Sequence, residues 1–206
     1  LLLYYITDRN QFSGDENLRR ELLLSKIEEA ARAGVDFIQL REKDLSAREL
    51  ENLAGEALRL VRAIGGSTRL LVNSRTDVAM ATGLDGLHLR SDDLSAEVVR
   101  FVWKSPRPVI GVSCHAMRDV TRAAAEKADF AVFGPVFEKR GAASVSATGL
   151  AELRAACAVG LLTYAIGGVT LANAESCGEA GAWGVAGIRL FQENDVAGIV
   201  RVLRGF

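Results

Sequence analysis

Eight short apolar runs, each followed by a polar cluster and then by an amphipathic stretch, succeed one another along this 206-residue chain. That alternation limits the possible folds more than any single motif does. The runs cover residues 2–6, 37–40, 70–72, 86–89, 109–112, 130–133, 162–166 and 185–188. Several are continuously apolar rather than alternating, as strands buried on both faces are. Helical stretches follow them over about 16–33, 46–64, a short one through Val78, Ala79 and Ala81, then 95–102, 117–128, 150–158, 171–180 and 196–203. Ser46 with Glu49 three residues on is a capping box, and Gly34 and Gly65 are natural helix stops. No linker interrupts the series. We therefore expect one domain over residues 1–206, an α/β chain folded as a (β/α)8 TIM barrel. An open doubly wound sheet is the alternative. The absence of a GxGxxG after the first strand counts against its dinucleotide-binding form.

A net charge of −1 offers no broad basic field, so neither nucleic acid nor a membrane is expected as a partner. Any anion site must be local. No apolar run approaches the roughly 20 residues that span a bilayer. The opening Leu1-Leu2-Leu3-Tyr4-Tyr5-Ile6 is too short for a signal-peptide core and has no basic flank before it, so a cytoplasmic location is expected. Cys114, Cys157 and Cys177 lack metal or redox spacing and read as buried, inert thiols.

In such a barrel, residues just past each strand share one mouth, where chemistry is done. In order they are Thr7-Asp8, Gln39-Arg41-Lys43, Asn73-Ser74-Arg75, His88-Arg90-Asp92-Asp93, Ser113-His115, Gly134-Pro135, Gly167-Gly168 and Gly187-Ile188-Arg189. The set is cationic on one side and glycine-rich on the other. On an extended segment Arg41 and Lys43 point the same way and suit a phosphate or pyrophosphate; alternatively they pair with Glu42 and Asp44 in a solvated loop. Gly167-Gly168 before a helix lets backbone N–H groups approach a phosphate, or makes a plain tight turn. Asp92-Asp93 suits Mg²⁺ with a pyrophosphate completing its shell, or simply caps the next helix. His88, between two leucines, reads as a core histidine. His115 is placed to orient Ser113 or to cap the following helix.

Taken together, Tyr5-Ile6-Thr7-Asp8, Gln39-Leu40-Arg41-Glu42-Lys43-Asp44, Val72-Asn73, Asp85-Gly86-Leu87-His88-Leu89, Asp93-Leu94, Gly111-Val112-Ser113-Cys114-His115, Phe133-Gly134-Pro135-Val136-Phe137 and Ala165-Ile166-Gly167-Gly168-Val169 resemble the thiamine-phosphate synthases and their relatives, the thiazole tautomerases. The resemblance covers nearly the whole chain. It implies a (β/α)8 barrel that joins a hydroxymethylpyrimidine diphosphate to a thiazole phosphate and releases pyrophosphate. It assigns Arg41, Lys43 and Ser113 to catalysis, and Gln39, Asn73, His88, Gly134, Gly167, Gly168, Gly187 and Ile188 to substrate binding. Asp93 would bind Mg²⁺. A homodimer is the expected assembly if the chain associates at all.

Departures from the family pattern gather at the phosphate-handling positions. Ser74 stands where a second Mg²⁺ carboxylate belongs, Ala142 where a pyrophosphate lysine belongs, and Arg90-Ser91 and Arg189 replace smaller or uncharged residues. Arg90 is placed to supply charge that the metal normally brings. Pro135 occupies the position of the tautomerase histidine. Three readings follow: a synthase with altered metal binding, a metal-independent thiazole phosphate isomerase using His88, His115 or Glu138 as base, and a non-catalytic thiazole phosphate binder. The small residues of 138–148 suit a mobile lid.

Overall fold

The computed structural model describes residues 1–138 and 146–205. Eight parallel strands pair in chain order and close on themselves: β1 (Leu2–Ile6), β2 (Phe37–Leu40), β3 (Arg69–Asn73), β4 (Gly86–Leu89), β5 (Val109–Cys114), β6 (Phe130–Phe133), β7 (Leu162–Ile166) and β8 (Gly184–Gly187). Closure is made by β1 against β8, from Leu2 opposite Gly184 to Tyr5 opposite Gly187. That pairing excludes the open sheet. The outer helices are α1 (Glu16–Arg32), α2 (Ala47–Ile64), α3 (Thr76–Thr82), α4 (Ala96–Val102), α5 (Met117–Ala125), α6 (Gly149–Cys157), α7 (Ala174–Glu179), α8 (Arg189–Gln192) and α9 (Val196–Leu203).

The sequence explains most of these elements locally. Asp15 caps α1 by accepting the Leu18 N–H. At α2, the Glu49 carboxylate accepts the Ser46 N–H at 2.8 Å while Ser46 Oγ accepts the Glu49 N–H at 3.3 Å, and Gly65 ends the helix in the left-handed region. Leu50, Leu53, Ala54, Ala57 and Val61 form its buried face. Four features differ from the sequence expectation. Strand β5 runs on to Cys114, so Ser113 lies within the strand and not past it. Helix α7 starts at Ala174, because Asn173 folds back, accepting the Thr170 N–H and donating to the Gly168 carbonyl. The short helix α8 and a 3-10 turn at Arg9–Gln11 were not anticipated.

Strand alternation divides the apolar residues into two cores. Leu3 and Tyr5 face the helices, whereas Tyr4 and Ile6 fill the barrel with Leu71, Phe130, Val132, Tyr164 and Ala186. Inside, the Phe130 ring lies 5.2 Å from Tyr164, 5.3 Å from Phe37 and 5.5 Å from Tyr4. Each such contact adds roughly 0.5–1.5 kcal/mol beyond area burial. Gly111 makes this cluster possible, since a Cβ there would lie 2.3 Å from the Phe130 ring.

At the end where strands begin, three aspartates repeat one arrangement. Asp36, Asp85 and Asp129, each just before an even-numbered strand, accept the N–H of Leu3, Leu70 and Ile110 on the preceding strand at 2.7, 2.8 and 2.7 Å. Each also takes an arginine from beyond the barrel wall: Arg204, Arg62 and Arg100.

Candidate functional site

The loop after β2 decides the electrostatics of the mouth. Glu42 is buried and accepts from Thr7 Oγ1 at 2.5 Å, from the Arg9 backbone N–H at 3.0 Å and from Arg9 Nη1 at 3.1 Å. Asp44 takes Arg9 as a fork, at 2.7 and 2.9 Å. This contact is the main reason the Asp44 carboxyl is pulled down to about 2. The pairing of Arg41 and Lys43 with their neighbouring acids is therefore not what forms; Arg9 takes both acids. Among the described residues, neither the Arg41 nor the Lys43 side chain has a hydrogen bond or ion pair. Lys43 is held below its ordinary pKa, first by the Arg41 charge, then by burial and by Arg90. Three cations thus crowd one wall.

After β3, Ser74 adopts a left-handed backbone (φ 60°), rare for a residue with a side chain. Asn73 Nδ2 donates to Ser74 Oγ at 3.1 Å, and Ser74 Oγ donates to Asp93 Oδ2 at 2.6 Å. The same Asp93 oxygen accepts the Arg90 N–H at 2.7 Å, while Oδ1 faces Arg90 Nε at 3.3 Å. Asp93 does not cap α4; Ser95 does, accepting the Val98 N–H. A cavity of about 370 Å³ opens here, polar at Glu42, Lys43, Asn73, Ser74, Arg75 and Arg90 and apolar at Leu40, Leu45 and Leu50. Its size suits a small ligand. Among the described residues, no group of three or more His, Cys, Asp or Glu side chains is gathered to hold a metal ion.

A second line of polar groups crosses the barrel interior. Gln39 Nε2 donates to Tyr4 Oη at 2.6 Å, Tyr4 Oη meets His88 Nδ1 at 3.3 Å, and His88 Nε2 meets Ser113 Oγ at 2.8 Å. With Tyr4 donating to Nδ1, His88 carries its proton on Nε2 and points it at Ser113. Burial, reinforced by the Arg41 charge, pushes the imidazole down to about 3, so it is neutral at working pH. His88 is thus a buried, satisfied histidine that also positions Ser113. His115, expected beside Ser113, instead meets the Gly134 carbonyl through Nδ1 at 2.7 Å. The start of α5 is capped from Asp119, which accepts the His115 and Ala116 N–H groups. Cys114 beside Ser113 is buried, and burial pushes its thiol up to about 12, which removes it as a nucleophile.

The opposite wall is built from backbone. A Cβ on Gly134 would lie 2.1 Å from the Ile166 carbonyl oxygen. Gly167 and Gly168 both have positive φ, and a Cβ on Gly168 would lie 2.5 Å from the Glu138 carbonyl oxygen. The Gly168 N–H donates to no described residue. Gly187 ends β8, and Ile188 precedes α8. Gln192 on α8 then ties this wall to the first strand: its amide nitrogen donates to the Asp8 carbonyl at 3.0 Å and its amide oxygen accepts the Asp8 N–H at 2.9 Å. Arg189 is a surface residue 3.7 Å from Glu193. Ala142, with Lys139 and Arg140, lies outside the described residues, as does most of the 138–148 segment.

Of the residues expected at the mouth after β2, β3 and β4, the structure brings Lys43, Asn73, Ser74, Arg75 and Arg90 to one cavity and turns Gln39 to Tyr4; Arg9 and Gln192 were not among those expected. Arg9 carried only a weak signal, an arginine three residues past the end of β1. Gln192, a lone amide in an apolar stretch, carried none.

The model of the family described as thiamine monophosphate synthase matches residues 3–191. The chain belongs to that family. A provisionally named thiamine-phosphate synthase of Geobacter sulfurreducens is 41% identical over 186 residues, covering 89% of this chain and 83% of its own. The thiamine-phosphate synthase of Methanoculleus marisnigri is 38% identical over 207 residues, covering 98% and 93%. Among solved structures, thiamine phosphate pyrophosphorylase from Pyrococcus furiosus superimposes with a TM-score of 0.82 at 28% identity, over 100% of this chain and 94% of that one. For a thiamine monophosphate synthase family member, the Gln39, Arg41, Lys43 and Asn73 cluster lies at the barrel end where the fold places its chemistry.

Proposed function

We propose that this chain is a thiamine-phosphate synthase acting on a hydroxymethylpyrimidine diphosphate and a thiazole phosphate. The bond between the pyrimidine methylene carbon and the diphosphate oxygen breaks, its electron pair leaves with pyrophosphate, and the thiazole nitrogen forms the new bond to carbon. The main barrier is charge separation, so preorganised cations at the leaving group are the principal source of rate. The observation that carries the reading is that Arg9 takes Glu42 and Asp44, which leaves Arg41 and Lys43 without an ion pair among the described residues, Lys43 on the wall of a ligand-sized cavity. Asn73 and Gln39 would orient the pyrimidine diphosphate, and Ser113, held by neutral His88, would contact the pyrimidine or the pyrophosphate. Gly134, Gly167, Gly168, Gly187 and Ile188 form the side on which a thiazole phosphate would meet backbone N–H groups. Small phosphorylated substrates, a cytoplasmic setting and a homodimer are parts of the same proposal.

Family resemblance implies Mg²⁺ at Asp93. Mg²⁺ demands near-octahedral oxygen ligands, and the donors here do not fit it. Asp93 is a single carboxylate, already bonded to a hydroxyl, a backbone N–H and a guanidinium. Ser74 Oγ spends its proton on Asp93 and accepts from Asn73. We derive no step through a metal.

The isomerase reading requires a titratable base within reach of substrate. His88 is neutral, poorly basic and engaged at both nitrogens, and Pro135 stands where the tautomerase histidine belongs. The test is direct: both substrates are supplied, and thiamine phosphate and pyrophosphate are followed together. Stoichiometric formation of the two supports the synthase. Thiazole phosphate binding without product at saturating substrates would leave a non-catalytic binder.

A further inference from the structure

We infer that Arg90 replaces the divalent cation at the diphosphate subsite, completing with Arg41 and Lys43 an anion pocket that works without metal. The inference rests on the synthase reading and concerns the same site. A two-carboxylate site would present two negative charges to a cation. Here Ser74 removes one of them, and the Arg90 guanidinium neutralises the other through Asp93 Oδ1 at 3.3 Å. The wall that should attract a metal ion therefore carries no net negative charge from this pair. What remains in excess is positive and comes from the β2 loop: Lys43 lines the cavity, neither it nor Arg41 has an ion-pair partner among the described residues, and Glu42, which also lines the cavity, is bonded to Arg9. Lys43 feels both arginines, which places the three charges within electrostatic reach of one another.

The anchoring of Arg90 is that of a group kept in position for use. Its backbone N–H and its Nε are both tied to Asp93, and Asp92 lies 3.2 Å from one terminal nitrogen. The side chain stays 54% exposed, with guanidinium donors left over. A guanidinium has five N–H donors in a planar fork that matches phosphate oxygens. Ser74 acts through Asp93, as a positioning residue: its hydroxyl holds the carboxylate that holds Arg90.

Titration with inorganic pyrophosphate, in EDTA and in Mg²⁺, tests this directly. The wild-type chain is expected to bind with affinities within about twofold of each other in the two conditions, and Arg90→Gln to weaken binding in EDTA by about tenfold or more, as loss of a charge-assisted contact does. Arg90→Lys should retain part of the affinity, which separates loss of charge from loss of fold. The double variant Ser74→Asp with Arg90→Gln should recover binding only in Mg²⁺. Aspartate is among the residues that tolerate the left-handed backbone found at Ser74. Wild-type binding that requires Mg²⁺, no binding in either condition, or an Arg90→Gln variant that binds normally would overturn the inference. Its failure is distinguishable from failure of the synthase reading. Turnover that stops in EDTA keeps the synthase and removes the Arg90 role. Metal-free pyrophosphate binding without turnover keeps the Arg90 role and removes the synthase.

Discussion

The two walls of the barrel mouth are built by different means. After β2, β3 and β4 the groups facing the cavity are side chains: Glu42, Lys43, Asn73, Ser74, Arg75 and Arg90, supported by Asp93 and, one layer back, by Arg9, which holds Glu42 and Asp44. After β6, β7 and β8 the wall is glycine, and its ligand-facing atoms belong to the main chain. A side-chain wall is rewritten by single substitutions, and the exchanges at Ser74 and Arg90 fall there. A backbone wall keeps its function under most substitutions but fails when a Cβ enters it. The difference explains why the ligand class of such a chain is easier to read than the details of its leaving-group chemistry.

The largest expected effect comes from striking the support of the side-chain wall. Arg9→Met leaves the Glu42 carboxylate buried without its cation, and should cost about 3–5 kcal/mol of folding stability, measured by denaturant unfolding. A cost under about 1 kcal/mol would mean that the acids are not dependent on Arg9.

Next comes the backbone wall. Gly168→Ala adds a Cβ 2.5 Å from the Glu138 carbonyl oxygen in a left-handed position and should cost about 2–3 kcal/mol, with weaker thiazole phosphate binding by titration. Gly34→Ala is the control, since its positive φ carries the backbone strain with nothing within 4 Å; it should cost only that strain, about 1–2 kcal/mol, and leave binding unchanged. Equal costs at the two glycines would break the proposed contrast.

A milder perturbation is Lys43→Ala. It should lower pyrophosphate affinity about tenfold while changing stability by no more than about 0.5 kcal/mol, because the ammonium has no ion pair to lose. A large stability loss with unchanged affinity would show that the lysine is structural.

The gentlest effect is on pH dependence. Folding lowers the His88 pKa from its ordinary 6.5 to about 3, so the unfolded chain binds the extra proton between those values. The contribution of His88 is whole above about 6.5 and is lost as pH falls toward 3, with a slope of at most about 1.4 kcal/mol per pH unit. His88→Asn should flatten stability against pH in that window. An unchanged slope would mean that another group carries it.

How much of this was legible depends on whether the signal was local. The strands could be read because burial on both faces leaves continuous apolar runs, and the capping box at Ser46 and Glu49 is complete within four residues. Two-residue alternation predicts that Arg41 and Lys43 point the same way, yet both lie in the loop past β2 and only Lys43 lines the cavity. What decides their charge state is not local, because Arg9 lies more than thirty residues from Glu42 and Asp44. His115 looked like the partner of Ser113 because it is adjacent in sequence. The actual partner is on the neighbouring strand: β4 and β5 pair with His88 opposite Gly111, which brings the imidazole beside Ser113 two residues further on. Likewise, the reach of Asn173 back to Gly168, which delays α7, depends on a turn whose geometry no periodicity encodes.

Asp36, Asp85 and Asp129 fasten three pairs of strands at the end farthest from the cavity, and arginines beyond the wall brace each fastening. The stagger of those strands is settled away from the cavity at the strands' C-terminal ends. A lineage can therefore experiment at the open end, trading a carboxylate for Ser74 or a neutral residue for Arg90, without renegotiating how the strands line up. Ancestry is written at one end of the barrel and occupation at the other.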